Sequence, residues 1–158
     1  MGKTPFFEGP NWPKIRGYCA YRERCHSEVR EKLYSFGLRR NEVETLISRL
    51  IEEDVLNEQR FADLFAGGHF RQKRWGRQKI VYALRQKKVS EPVIKKALKE
   101  IDGPDYTTSL QKLARVKWQA LKGEQYLTRQ AKTMAYLLQK GYERPAVLAV
   151  VKQLQANG

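Results

Sequence analysis

The sequence predicts an all-α protein made of three tandem three-helix repeats, and three observations predict it. One apolar pattern occurs three times in register. Val43, Leu46, Ile47 and Leu50 recur 51 residues later as Ile94, Ala97, Leu98 and Ile101, and 53 residues on as Val147, Val150, Val151 and Leu154. Leu33, Leu84 and Leu137 keep the same two offsets, as do Leu38, Val89 and Tyr142. The spacing is also helical: Ile94, Leu98 and Ile101 line one face while Lys95, Lys96 and Lys99 lie elsewhere around the wheel. Finally, no alternating strand pattern of useful length is present. A repeat of this length marks an array whose units bury their faces against neighbours, which suits a binding surface better than an enzyme.

Residues 1–14 carry Pro5, Pro10 and Pro13 with two glycines and are expected to form a loose arm, from which Phe6, Phe7 and Trp12 can dock on the first repeat. The first repeat, 15–56, reads as a helix over about 15–24, a second from Ser27 to Phe36 and a third from Asn41 to Glu53. Ser27 is the expected N-cap of the second, with Glu28 and Glu31 near its positive end and Gly37 as its stop. The second repeat, 57–103, opens with Asn57 capping a helix that carries Phe61, Leu64 and Phe65. Gly76 breaks it before a helix over about 77–87, and Ser90 caps a further helix with Pro92 in its first turn. Asp102-Gly103-Pro104 is the expected stop. The third repeat, 104–158, reads as helices over about 105–121, 127–140 and 144–156, with Gly141 as the middle break.

A chain of 158 residues with 41% hydrophobic and 11% aromatic side chains folds, with a core of modest size. It holds no run near the roughly 18 apolar residues of a membrane span and no signal peptide, and Phe6 stands where a myristoylation signal needs Ser or Thr. A cytoplasmic protein is expected. Cys19 and Cys25 are expected on one helix and reduced; with His26 and His69 they are too scattered, and lack any CxxC pair, for a zinc site. No metal and no cofactor is expected.

Charge is the second strong signal. The net charge is +14 and unevenly shared: residues 1–56 hold 10 basic and 9 acidic side chains, 57–103 hold 12 and 5, and 104–158 hold 9 and 3. Between Asp63 and Glu91 there is no acidic residue, yet Arg71, Lys73, Arg74, Arg77, Lys79, Arg85, Lys87 and Lys88 fall there. Such a field attracts a polyanion or an acidic protein surface. On the helix beginning near Arg77, Ile80, Val81 and Leu84 form the apolar stripe and Tyr82 points the other way, among Gln78, Lys79, Arg85 and Gln86. In the third repeat Tyr136 lies between Lys132 and Lys140. Cations that take phosphates beside a ring that stacks on a base suit single-stranded or filament-bound DNA; a solvated face with tyrosines over lysine stems is the plainer reading of each ring. Trp75, before Gly76, reads as an anchor in the inter-helix corner. Lys95, Lys96 and Lys99 read as a solvent face, and so does the acidic trio Glu52, Glu53 and Asp54. No phosphate-binding glycine loop, nucleophile with a base, or carboxylate cluster in the basic region is present.

With those residues in view, the chain resembles the RecX family of bacterial recombination regulators. Leu56-Asn57-Glu58-Gln59-Arg60-Phe61-Ala62 resembles the family's signature at the start of its second repeat. Gly76-Arg77-Gln78-Lys79-Ile80 with Leu84-Arg85-Gln86-Lys87 resembles that repeat's basic second helix, and His26-Ser27-Glu28-Val29 with Leu33 and Gly37 the first repeat's opening. Two departures stand out: Gln78 where a Pro-Arg pair is common after the glycine, and Lys88 in place of the usual helix-end glycine, where it must either take a left-handed conformation or turn the chain differently. The resemblance implies an elongated, curved array of three three-helix repeats without enzymatic activity. It implies binding along the groove of the RecA–DNA filament and restraint of its recombinase, ATPase and co-protease functions. It would place the filament- or DNA-facing role on Arg71, Lys73, Arg74, Arg77, Lys79, Tyr82, Arg85, Lys87 and Lys88, extended by Arg115, Lys117, Arg129, Lys132, Tyr136 and Lys140. Phe61 is expected in the repeat core, and Arg60 in a capping or inter-repeat ion pair. The partners expected are the RecA filament and single-stranded or double-stranded DNA, with the chain itself a monomer. Two other readings stay open: a sequence-nonspecific DNA-binding repeat protein without a recombinase partner, and a scaffold for another acidic protein surface.

Overall fold

The computed structural model describes residues 9–157, and among them the chain forms nine helices and no strand. Three come from the first repeat: α1 (Asn11–Tyr21), α2 (His26–Ser35) and α3 (Arg40–Glu52). Then follow α4 (Glu58–Lys73), α5 (Arg77–Gln86) and α6 (Glu91–Leu98), and finally α7 (Gly103–Ala120), α8 (Tyr126–Gln139) and α9 (Arg144–Ala156). The fold class is all-α, a tandem array of three-helix repeats. Most of the in-register apolar positions form its core, while Leu98 and Leu154 are half-buried. Val43, Leu46, Ile47, Leu50, Ile94, Ala97, Ile101, Val147, Val150 and Val151 are all buried, as are Leu33, Leu84 and Leu137.

The helix ends correct several expectations. Helix α1 takes in residues 11–14, which the sequence assigns to an arm, and ends at Tyr21 rather than near 24. Pro13 is tolerated because it sits in the first turn, where an amide hydrogen has no intrahelical acceptor. Trp12 packs on the first repeat's core; Phe6 and Phe7 lie outside the described residues. Cys25, not Ser27, is the N-cap of α2: its sulfur meets the Glu28 amide and the Glu28 carboxylate accepts from the Cys25 N–H. Cys19 and Cys25 therefore sit on different elements, both free thiols and both buried. Asn57 does cap α4, accepting from the Arg60 N–H at 2.9 Å. Asp102, expected to stop a helix, starts one instead: its carboxylate accepts from Asp105 N–H and Pro104 falls in the first turn of α7. Gly37, Lys88 and Gly141 hold the same place, one repeat apart, after the middle helices, and all three have positive φ (82°, 61° and 102°). Lys88 thus takes the left-handed conformation that a glycine adopts more cheaply.

The described residues fall into two compact units: 9–64 with 84–96, and 65–83 with 97–157. The boundaries pass through α4, α5 and α6, so the middle three helices are shared between the two. In the first unit the core runs from Ile15 and Cys19 through Val29, Leu33 and the α3 stripe to Leu56. Arg60 joins Glu23 at 2.6 Å and Asp54 at 3.3 Å, tying α4 to the acidic residues of the first repeat. Ser27 Oγ donates to the Lys87 carbonyl at 2.7 Å, and Gln59 Nε2 to the Val93 carbonyl at 3.1 Å. Phe61 is buried. The acidic trio stays exposed, with Glu53 paired to Arg16 and Arg49.

Candidate nucleic-acid interface

The second unit is organised by a junction at Gly76. The Gly76 N–H donates to the Lys140 carbonyl and the Gln78 N–H to the Gly141 carbonyl, each at 2.8 Å, while the Arg77 N–H donates to the Tyr106 hydroxyl at 2.9 Å. The first amides of α5, which have no acceptor within their own helix, are thereby satisfied by the turn after α8 and by α7. Glycine is obligatory here, because a Cβ on Gly76 would lie 2.3 Å from the Gly141 carbonyl carbon and 2.4 Å from the Tyr142 nitrogen. The Tyr106 hydroxyl donates to Glu143, which also takes the Arg77 guanidinium at 3.2 Å. That guanidinium lies 3.8 Å from the centre of the Tyr106 ring. Burial and the Glu143 carboxylate push the Tyr106 hydroxyl well above the ordinary phenol range.

Several cations proposed for DNA therefore have internal duties. Arg77 is one. Arg129 donates to the Trp118 carbonyl at 2.9 Å and lies 3.9 Å above that ring. Lys140 reaches the Lys73 carbonyl at 2.7 Å, and burial with Lys79 nearby lowers its pKa. Lys132 pairs with Glu124, and Arg85 makes a two-pronged contact with Glu91 at 2.8 and 2.9 Å. Lys117 lies 4.9 Å from the Tyr136 ring, which is half-buried. Among the described residues, Arg71, Lys73, Arg74, Lys79, Lys87, Lys88, Lys112 and Arg115 form no ion pair.

The free cations of the second unit occupy two settings. Lys73 and Lys79 flank half-buried Trp75, 5.7 and 4.7 Å from its ring, and Trp75 closes a set in which His69 stacks on Phe65 at 3.9 Å. The corner role expected of Trp75 fits this packing. Tyr82 projects outward, 66% exposed, one turn along α5 from Lys79. Arg71 and Arg74, by contrast, line a groove of about 500 Å³ together with Phe70, Lys112, Leu113 and Val116 of the end of α4 and of α7. Lys112 was no candidate on sequence grounds, since nothing in the linear order pairs it with Arg74. In the first unit, Lys87 and Lys88 stand at the end of α5 where Ser27 anchors the backbone.

These features define a class: a helical-repeat protein that presents unpaired cations on its surface and, among the described residues, gathers no metal-ligating cluster. Helix by helix it is similar to solved proteins, including the crystal structure of RecX from Lactobacillus salivarius, with a TM-score of 0.83, 21% identity, and coverage of 92% of this chain and 94% of that one. The profile described as "RecX, second three-helix domain" matches residues 57–98, and "RecX, third three-helix domain" matches 105–151. Regulatory protein RecX of Prosthecochloris aestuarii is 30% identical over 141 residues, 89% of this chain and 91% of that protein. Its counterpart in Clostridium perfringens strain 13 is 32% identical over 137 residues, covering 85% of this chain. The chain belongs to the RecX family. It spans 63% of the length of the Clostridium perfringens relatives. No helix among the described residues is long and apolar enough to cross a membrane.

Proposed function

We propose that the protein is a non-enzymatic regulator that binds the RecA–DNA filament and restrains its recombinase, ATPase and co-protease activities, acting in the cytoplasm as a monomer of three sequence repeats divided near 56/57 and 103/104. What carries this reading is the acid-free stretch between Asp63 and Glu91, set on the second of three repeats in a chain of this family. A repeat array touches several protomers of a filament at once, and individually weak contacts sum through effective concentration. Bound in that way it blocks addition or favours loss of protomers by mass action, with no chemical step. Phosphates fall to Lys73, Lys79, Lys87 and Lys88, which pair with no carboxylate among the described residues, and Tyr82 offers a ring to a base. Arg71, Arg74, Arg115 and Lys117 extend the positive field, while Arg77, Arg129 and Lys140 act chiefly by holding the scaffold.

The test follows RecA-driven, single-strand-dependent ATP hydrolysis while the protein is titrated at physiological salt. A companion variant carries Lys73→Glu, Lys79→Glu and Lys87→Glu, which spare the Arg77 brace. Inhibition well below one molecule per RecA protomer, lost in the variant, supports the reading. Inhibition only where the protein coats bare DNA sinks it in favour of a nonspecific DNA-binding repeat protein.

A further inference from the structure

The groove beside the end of α4 offers chemistry different from that of the Tyr82 face. Three cations converge on it, Arg71, Arg74 and Lys112, and none has an ion-pair partner among the described residues. Its apolar part is accessible: Val116 is 62% exposed and Leu113 half-buried, over a floor of buried Phe70. The two walls are joined. Tyr142 donates to the Arg74 carbonyl at 3.0 Å and its hydroxyl is also hydrogen-bonded to the Ser109 hydroxyl of α7 at 3.1 Å, so one tyrosine bridges the two sides. Arg74 follows the last residue of α4 with a φ of 59°, a conformation that costs a side-chain-bearing residue about 1 kcal/mol or more. On the same wall the Arg71 guanidinium folds back over Gly67, where a Cβ would lie 2.7 Å from its Nη1.

The occupant follows from what the groove has and lacks. The lining part of α7, from Asp105 to Val116, runs about 16 Å at 1.5 Å per residue, the length of three helical turns. Nucleic acid is a poor fit. Phe70, the groove's ring, is 4% exposed and cannot stack on a base. A peptide bearing carboxylates matches the arginine forks, which take planar anions two-pronged, and its apolar side chains match Leu113 and Val116. We propose that this groove docks an acidic amphipathic segment of a protein partner, its carboxylates on Arg71, Arg74 and Lys112 and its apolar side chains on Leu113 and Val116. The proposal goes beyond the filament reading and stands or falls separately from it.

The experiment uses the full chain and a fluorescein-labelled peptide of Glu and Leu, its leucines on one helical face, followed by fluorescence anisotropy and by amide chemical shifts. Saturable binding is expected, with shifts concentrated at Thr108, Ser109, Lys112 and Val116. Arg74→Glu with Lys112→Glu weakens it at least tenfold, and Val116→Asp weakens it severalfold. A peptide with every Leu replaced by Ser loses most of its affinity. Equal binding of the Ser peptide overturns the proposal, since only bulk charge is then read. So does displacement by oligothymidylate with the same amides shifted, which makes the groove a nucleic-acid site. Absence of saturable binding to the wild-type chain overturns it as well.

Discussion

Gly37, Lys88 and Gly141 show how one backbone position can be met by different residues. All three end the middle helix of their repeat in the left-handed region, where a Cβ is crowded by the backbone. Lys88→Gly is therefore expected to raise stability by about 1 kcal/mol and Gly37→Ala to lower it by a similar amount, both read as shifts of the urea midpoint. The need at position 88 was legible in the sequence through the family resemblance, in which a glycine usually ends that helix. The Cys25 cap was not, because a thiol serves as a cap only where burial removes competing water. Burial also pushes the Cys19 thiol up to about 11 and raises that of Cys25, so both should resist alkylation in the native chain and react fully in urea. Glu28 responds to pH in the opposite sense. Burial disfavours its charge, but the Cys25 N–H, the Cys25 thiol and Arg22 outweigh this and hold the carboxyl below the ordinary range. Its folded value lies below the unfolded value of about 4.3. The stability it contributes is therefore complete above that pH and lost as pH falls through the folded value. Glu28→Gln should lower the urea midpoint at neutral pH and flatten its decline on acidification.

At the scale of elements, the α5 start is held by residues from the third repeat. Gly76→Ala forces a Cβ into backbone that cannot yield without breaking the 2.8 Å bonds of Gly76 and Gln78, and a loss of about 3 kcal/mol is expected by urea denaturation. Arg77→Ala removes the Glu143 pair and the Tyr106 ring contact; about 1–2 kcal/mol should go, whereas Lys73→Ala should stay within about 0.5 kcal/mol. This contrast separates braces from free cations, a distinction that composition cannot make. Both arginines and lysines raise the net charge equally, but only the partners reached in space decide which of them remain available. Helix existence and the buried faces were legible from the apolar register. Ends were less so: Asp102-Gly103-Pro104 reads as a stop in the sequence, whereas Asp105 N–H donates to Asp102 and the segment starts α7.

At the scale of the whole molecule, the charge of +14 makes binding to any polyanion strongly salt-dependent. Each phosphate neutralised should steepen the fall of log affinity with log salt by about 0.7–0.9, so the Lys73, Lys79 and Lys87 substitutions should flatten that slope by about 2 to 3 in an oligonucleotide titration. The sequence by itself determined the fold class, the threefold register, the buried stripe of each repeat and the imbalance of charge, because periodic burial and net charge are properties of linear order. Only the tertiary structure decided that Arg77 and Lys140 are tied to partners 66 and 67 residues along the chain, and Arg129 to the Trp118 carbonyl and ring. It also decided that Arg74 meets Lys112 across one groove, and that Lys73 and Lys79 flank Trp75 instead. The reason is physical: a cation's availability depends on the acceptors and rings that packing brings within a few ångströms, and for Arg77 and Lys140 the acceptors come from residues more than sixty positions away.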